Sequence, residues 1–127
     1  VRGANIVVLA TSSSTPVIES AWLADDVFVT TMGPKQAGRA EFDLDLIASA
    51  DLVVTDSPEQ LGAYDPPSLV VQAGAADRVL DLAQVAAGQV DLERAARTGR
   101  RVYLSVGMAG TEVQLLGHLA EGARESA

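Results

Sequence analysis

The chain contains no cysteine, so neither a disulfide framework nor a thiolate metal site can be built from it. Aromatic residues make up only 4%, which leaves the core to valine, leucine, isoleucine and alanine. Basic residues are scarce: nine Lys and Arg against 17 Asp and Glu give a net charge of −8. No basic cluster exceeds Arg100-Arg101, so nucleic acid and anionic membranes are not expected partners. With one histidine, His118, and no cysteine, no metal site is expected, and His118 is assigned to a solvent-facing helix edge. Apolar runs such as Ile6-Val-Val-Leu-Ala10 fall far short of the ~20 residues a membrane helix requires, and no signal segment opens the sequence. A soluble, cytoplasmic protein is the expectation. The first residue is Val1 and a strand follows almost at once, which suggests a fragment or a cleaved product.

What is present is a globular composition, 48% apolar with a mean hydropathy of +0.20, and a length that suits one domain over residues 1–127. The run Ile6-Val-Val-Leu-Ala10 shows no alternation, the pattern of a strand buried on both faces of a parallel sheet. It ends in Thr11-Ser-Ser-Ser-Thr15-Pro16, whose hydroxyls could serve a phosphate, a ribose or a carboxamide, or could simply make a turn. A second strand, residues 27–32, runs into a loop through Gly33, Pro34 and Gly38 to Glu41. This loop is the expected working surface, because ligands in open α/β sheets collect beyond the carboxyl ends of the strands.

Asp43 is placed to cap a short helix, residues 51–56 repeat the strand pattern, and Ser57-Pro58-Glu59 marks a helix start. Residues 62–67 form a loop, and Leu69-Val-Val71 suits either a short strand or a helix. The spacing over residues 75–87 predicts one amphipathic helix stopped by Gly88. Residues 91–97 suggest a short polar helix. Arg100-Arg-Val-Tyr-Leu-Ser105 is the fourth strand, followed by a last helix with Val113, Leu116, Leu119, Ala120 and Ala123 on one stripe. Alternating strands and helices predict an α/β fold with a mainly parallel sheet.

In this order, Ile6-Val-Val-Leu-Ala-Thr-Ser-Ser13, Met32-Gly33 with Gly38 and Glu41, Ala50-Asp-Leu-Val-Val-Thr-Asp-Ser-Pro-Glu-Gln60 and Ser105-Val-Gly-Met-Ala109 resemble the ornithine cyclodeaminase and mu-crystallin family. The match is to the C-terminal half of that family's dinucleotide-binding domain. The resemblance implies a Rossmann-like fold, here apparently lacking the first β-α-β unit. It also implies NAD or NADP as cofactor, an amino acid or cyclic imine as substrate, and a homodimer. By it, Thr11, Ser12 and Ser13 lie along the nicotinamide ribose, Met32 and Gly33 present backbone to the ring, and Ser105, Val106 and Gly107 approach from the last strand. Hydroxyls and a Cβ-free glycine at strand ends would allow such an approach.

Two departures qualify the resemblance. Lys35 stands where the family's cyclodeaminases carry an acid two positions after the glycine, so Lys35 is the candidate catalytic residue. A cation there favours imine reduction or amino-acid oxidation over cyclodeamination, unless burial lowers its pKa; the alternative is a solvated loop lysine. No G-x-G-x-x-G occurs, and Gly107-x-x-Gly110 lacks the rest of the pattern. These 127 residues alone are therefore expected neither to hold a dinucleotide tightly nor to catalyse. Two further readings remain open: a non-catalytic domain that binds a small ligand or pairs with a partner, and an unrelated mononucleotide-binding α/β domain.

Overall fold

A computed structural model describes residues 1–92, 98–107 and 110–125. Its centre is a five-stranded, wholly parallel sheet: β1 (Ile6–Leu9), β2 (Val27–Thr31), β5 (Leu52–Thr55), β6 (Val79–Asp81) and β7 (Arg100–Leu104), in the order β1-β2-β7-β5-β6. The register runs Val7, Val29, Val102, Val53, Val79 across one row and Leu9, Thr31, Leu104, Thr55, Asp81 across another. These rows face the core. Because successive side chains alternate faces, the row Ile6, Phe28, Arg101, Leu52 points the other way.

The core-facing side is covered by α1 (Leu44–Ala48), α2 (Pro58–Gly62) and α3 (Leu69–Gln72), through Leu46, Ile47, Leu61, Leu69 and Val70, with Phe42, Ile18 and Leu23 filling between them. Each helix begins with a side-chain cap, as the sequence predicts for the first two: Asp43 accepts from Leu46 N at 3.0 Å, Ser57 from Gln60 N, and Ser68 from Val71 N. Ser68 thus decides that Leu69-Val-Val71 starts a helix. Asp43 also accepts from Ser20 N at 2.9 Å and from the Ser20 hydroxyl, tying α1 to a 3₁₀ turn at Ser20–Trp22. Half-buried Trp22 packs on the core under Arg2. The guanidinium of Arg78 donates to the carbonyls of Ala50 and Ile47, closing the other end of α1.

Three expectations are corrected. β1 is an edge strand buried on one face only: Val7 and Leu9 are covered, whereas Ile6 is 67% and Val8 60% exposed. An unbroken apolar run does not reveal which neighbours cover it. Residues 75–87 are not one helix but a 3₁₀ turn (Ala76–Arg78), strand β6 and α4 (Leu82–Ala86). Parallel pairing to β5 captures Val79 and Leu80, and Asp81 then caps α4 by accepting from Ala83 N at 2.8 Å. This makes Arg100–Leu104 the fifth strand of the sheet. The expected loop after β2 contains a two-residue hairpin, β3 (Lys35–Gln36) with β4 (Arg39–Ala40), turning through Gly38 at φ +76°. The last helix forms where expected, as α5 (Thr111–Glu125), with Val113, Leu116, Leu119 and Ala120 of its stripe exposed. The polar helix suggested at residues 91–97 falls largely outside the described residues.

Candidate functional site

Parallel strands put all their C-terminal ends on one edge. The tips after Leu9, Thr31, Thr55 and Leu104 therefore lie side by side, since β1, β2, β7 and β5 are successive neighbours. This is the arrangement the candidate site requires, and opposite placement of these tips would have ended it.

Two carboxylates organise the edge, Glu41 buried and Asp56 half-buried. Glu41, at the end of the hairpin, is wholly buried. One of its oxygens accepts from the Thr11 amide at 2.9 Å and the Thr11 hydroxyl at 2.8 Å; the other accepts from the Gly33 amide at 2.6 Å. Its backbone joins in, with Glu41 N donating to Pro34 O at 3.0 Å and Val17 N donating to Glu41 O at 2.9 Å. One residue thus fastens the β1 tip to the β2 tip. Three donors offset the desolvation of a buried carboxylate. Asp56 performs the same task between β5 and β7: it accepts from Val106 N at 2.8 Å, Gly107 N at 3.1 Å and the Ser105 hydroxyl at 3.4 Å. The Thr55 hydroxyl adds a 2.7 Å bond to Leu104 O.

Gly33 lies at the tightest point. A Cβ added there would collide with the Thr11 carbonyl oxygen and the Glu41 carboxylate, so only glycine lets the two tips close to this distance. Next to it, Lys35 is 5% exposed, and its ammonium donates to Gly33 O at 2.6 Å. A solvated loop lysine is ruled out. Burial pushes the Lys35 ammonium below the usual lysine range, while the nearby charges of Glu41 and Asp56 act in the opposite direction. Burial, reinforced by Asp56, pushes the Tyr64 hydroxyl up.

The other residues singled out in the sequence differ in their freedom. Ser12 is exposed, whereas Ser13 is engaged in its own turn, its hydroxyl donating to Thr15 O at 2.7 Å. Met32 stands exposed at the β2 tip, its amide donating to Leu9 O at 2.8 Å. Both amides of Val106 and Gly107 go to Asp56, as above. Met108 and Ala109 lie outside the described residues. The sequence offers Glu41 only a spacing and Asp56 only a place in a strand; a lone acid just after an apolar run is the available signal for Asp56, and Glu41 has no such signal. The sequence also gives no sign of Thr31, whose hydroxyl is buried without a hydrogen-bond partner among the described residues. His118 is an exposed residue of α5, its Nδ1 3.8 Å from Glu121. Among the described residues no three His, Cys, Asp or Glu side chains form a metal-binding group.

Comparison with known proteins agrees with this fold. The uncharacterized cyclodeaminase y4tK of Sinorhizobium fredii (strain NBRC 101917 / NGR234) is 32% identical over 117 residues, 90% of this chain and 34% of the relative. The structure of a probable ornithine cyclodeaminase from Bordetella pertussis Tohama I superposes with a TM-score of 0.73 and 31% identity, over 88% of this chain and 36% of that one. The iminosuccinate reductase of Paracoccus denitrificans, solved in complex with NAD+, gives a TM-score of 0.72 at 22% identity, over 95% of this chain and 37% of the other. The chain thus spans about a third of the length of these relatives. The family profile matches residues 1–127 throughout, and with the Rossmann-like parallel sheet and its ordered tips this establishes that the chain belongs to the ornithine cyclodeaminase/mu-crystallin family.

Proposed function

We propose that this chain forms the nicotinamide side of an NAD(P) site in an enzyme that interconverts amines and imines of amino acids. The observation that carries the reading is Glu41, which binds the β1 and β2 tips into one surface with Gly33 at its narrowest point. A relative of the same fold binds NAD+, which supports placing the cofactor on this edge. When bound, a nicotinamide dinucleotide supplies the hydride donor or acceptor, and the protein supplies position.

The chain's own residues suit that task. Ser12 leaves a hydroxyl available to a ribose, Met32 offers an apolar surface, and the absent Cβ of Gly33 permits close approach by a flat ring. Thr11 and Ser13 act by shaping the β1 tip, Thr11 through Glu41 and Ser13 through Thr15. Ser105, Val106 and Gly107 are held by Asp56 and close the side nearest β5. The pyrophosphate half fits less well: the 127 residues contain no G-x-G-x-x-G to turn a strand into a helix N-terminus. With Lys35 in place of an acid, imine reduction or amino-acid oxidation is favoured over cyclodeamination. An amino acid or cyclic imine as substrate, a homodimer and a cytoplasmic location belong to the same proposal.

Calorimetric titration of the chain with NAD and NADPH tests it. Weak binding is expected, accompanied by amide shifts at Thr11, Ser12, Met32, Gly33 and Ser105 to Gly107; shifts elsewhere would overturn the placement. Micromolar affinity would overturn the expectation that these residues alone bind loosely. A second reading, a non-catalytic domain that pairs with a partner, draws on the sheet face that the described residues leave open. There Phe28, Leu52, Val54, Leu82, Val85 and Tyr103 line a groove of about 350 Å³. Sedimentation as a monomer over a broad concentration range would count against self-pairing.

A further inference from the structure

A glycine is required at position 33 for space, yet glycine is the residue with the most backbone freedom to lose. A ring-binding tip built on it would be loose unless something else fixed the chain. The structure supplies restraint on both sides of the Gly33 Cα. Its amide, in the peptide from Met32, donates to Glu41 at 2.6 Å; its carbonyl, in the peptide to Pro34, accepts from Lys35 Nζ at 2.6 Å. Both partners carry charge, which strengthens each bond over a neutral one. Pro34 further narrows the conformations open to the preceding residue.

We propose that Lys35 is a positioning residue, not a proton-transfer base. Together with Glu41 it fixes the two peptide planes that meet at Gly33, so that the β2 tip offers a rigid surface to a nicotinamide ring. The proposal rests on the cofactor placement argued above.

Three observations separate this role from that of a base. The Lys35 ammonium is directed to a backbone carbonyl and is almost wholly enclosed, so it does not face the tip surface as a base would. An ionised carboxylate has no hydrogen to donate, so the acid carried by the family's cyclodeaminases could not make this bond. The charged groups acting on Lys35 are Glu41 and Asp56, the two carboxylates that bind the tips, and their attraction offsets part of the cost of enclosing a cation. On this geometry Lys35 serves the tip as support.

The test compares wild-type chain with Lys35→Met, Lys35→Arg and Glu41→Gln, each labelled with ¹⁵N and ¹³C. Two signals are followed: the Gly33 carbonyl ¹³C shift, and the affinity for reduced nicotinamide mononucleotide, which needs no pyrophosphate-binding helix. Lys35→Met is expected to move the carbonyl signal and weaken binding by about tenfold, with Lys35→Arg restoring most of both. Glu41→Gln is expected to move the Gly33 and Thr11 amide signals instead. If it does not fold, the two Lys35 variants decide alone. Unchanged carbonyl shift and affinity in Lys35→Met would overturn the proposal. If the nucleotide disturbs no tip residue in wild type while Lys35→Met still moves the carbonyl, the cofactor placement fails and the pinned glycine stands.

Discussion

Gly33 sits where a methyl group has no room, between the Thr11 carbonyl and the Glu41 carboxylate. Gly33→Ala must push apart two tips that three hydrogen bonds hold together, and it should lower stability by about 1–3 kcal/mol in urea titration. Thr31 presents the opposite case. Its hydroxyl is enclosed without a partner, so Thr31→Val, which removes that group and keeps the shape, should raise stability by about 1 kcal/mol in the same assay. Lys35 predicts a pH dependence. Burial holds its folded-state pKa below the ordinary lysine value of 10.5, so between the two values the unfolded chain binds the extra proton and stability rises with pH. Tyr64, shifted up from 10.0, contributes in the other direction as alkali removes its proton first from the unfolded chain. Comparing wild type with Lys35→Met isolates the lysine: wild type should gain stability relative to the variant as pH rises toward 10.5, and a constant gap would contradict the shift.

At the scale of elements, side-chain burial separates two leucines. Leu104 on β7 is wholly buried, and Leu104→Ala should cost about 2–5 kcal/mol. Leu116 on α5 is exposed, so Leu116→Ala should stay within about 0.5 kcal/mol by chemical denaturation. Helix starts were legible in the sequence because capping is local: Asp43, and Ser57 before Pro58, announce α1 and α2 within three residues. Strand β6 was not, because Val79, Leu80, Leu82 and Val85 satisfy a helical period and only pairing with β5, about 25 residues earlier, holds the first two extended. Glu41 and Asp56 were obscured for the same reason. Glu41 reaches Gly33 8 residues away but also Thr11 at 30, the partners of Asp56 lie about 50 away, and nothing in a single sequence marks an acid as an acceptor for a distant loop. The position of Lys35 was legible and its enclosure was not, since the hairpin that buries it is only two residues per strand.

For the whole molecule, the strand order puts β2, β7 and β5 inside and leaves β1 and β6 at the edges. Backbone amides of β7 should exchange with solvent deuterium most slowly and those of β1 sooner, because local opening begins where a strand has one neighbour. Mass-spectrometric exchange that found β1 the slowest would contradict the order. The parallel arrangement also has a bearing on how such an edge can be altered. Each tip opens a separate connection, so one can be rewritten without rethreading the others, provided the fastenings between them remain. A library randomised at Ser12 and Ser14 should return many folded members; one randomised at Gly33 should return almost none but glycine. The chemistry of the exposed surface can thus drift at the serines while the joint at Gly33 stays fixed.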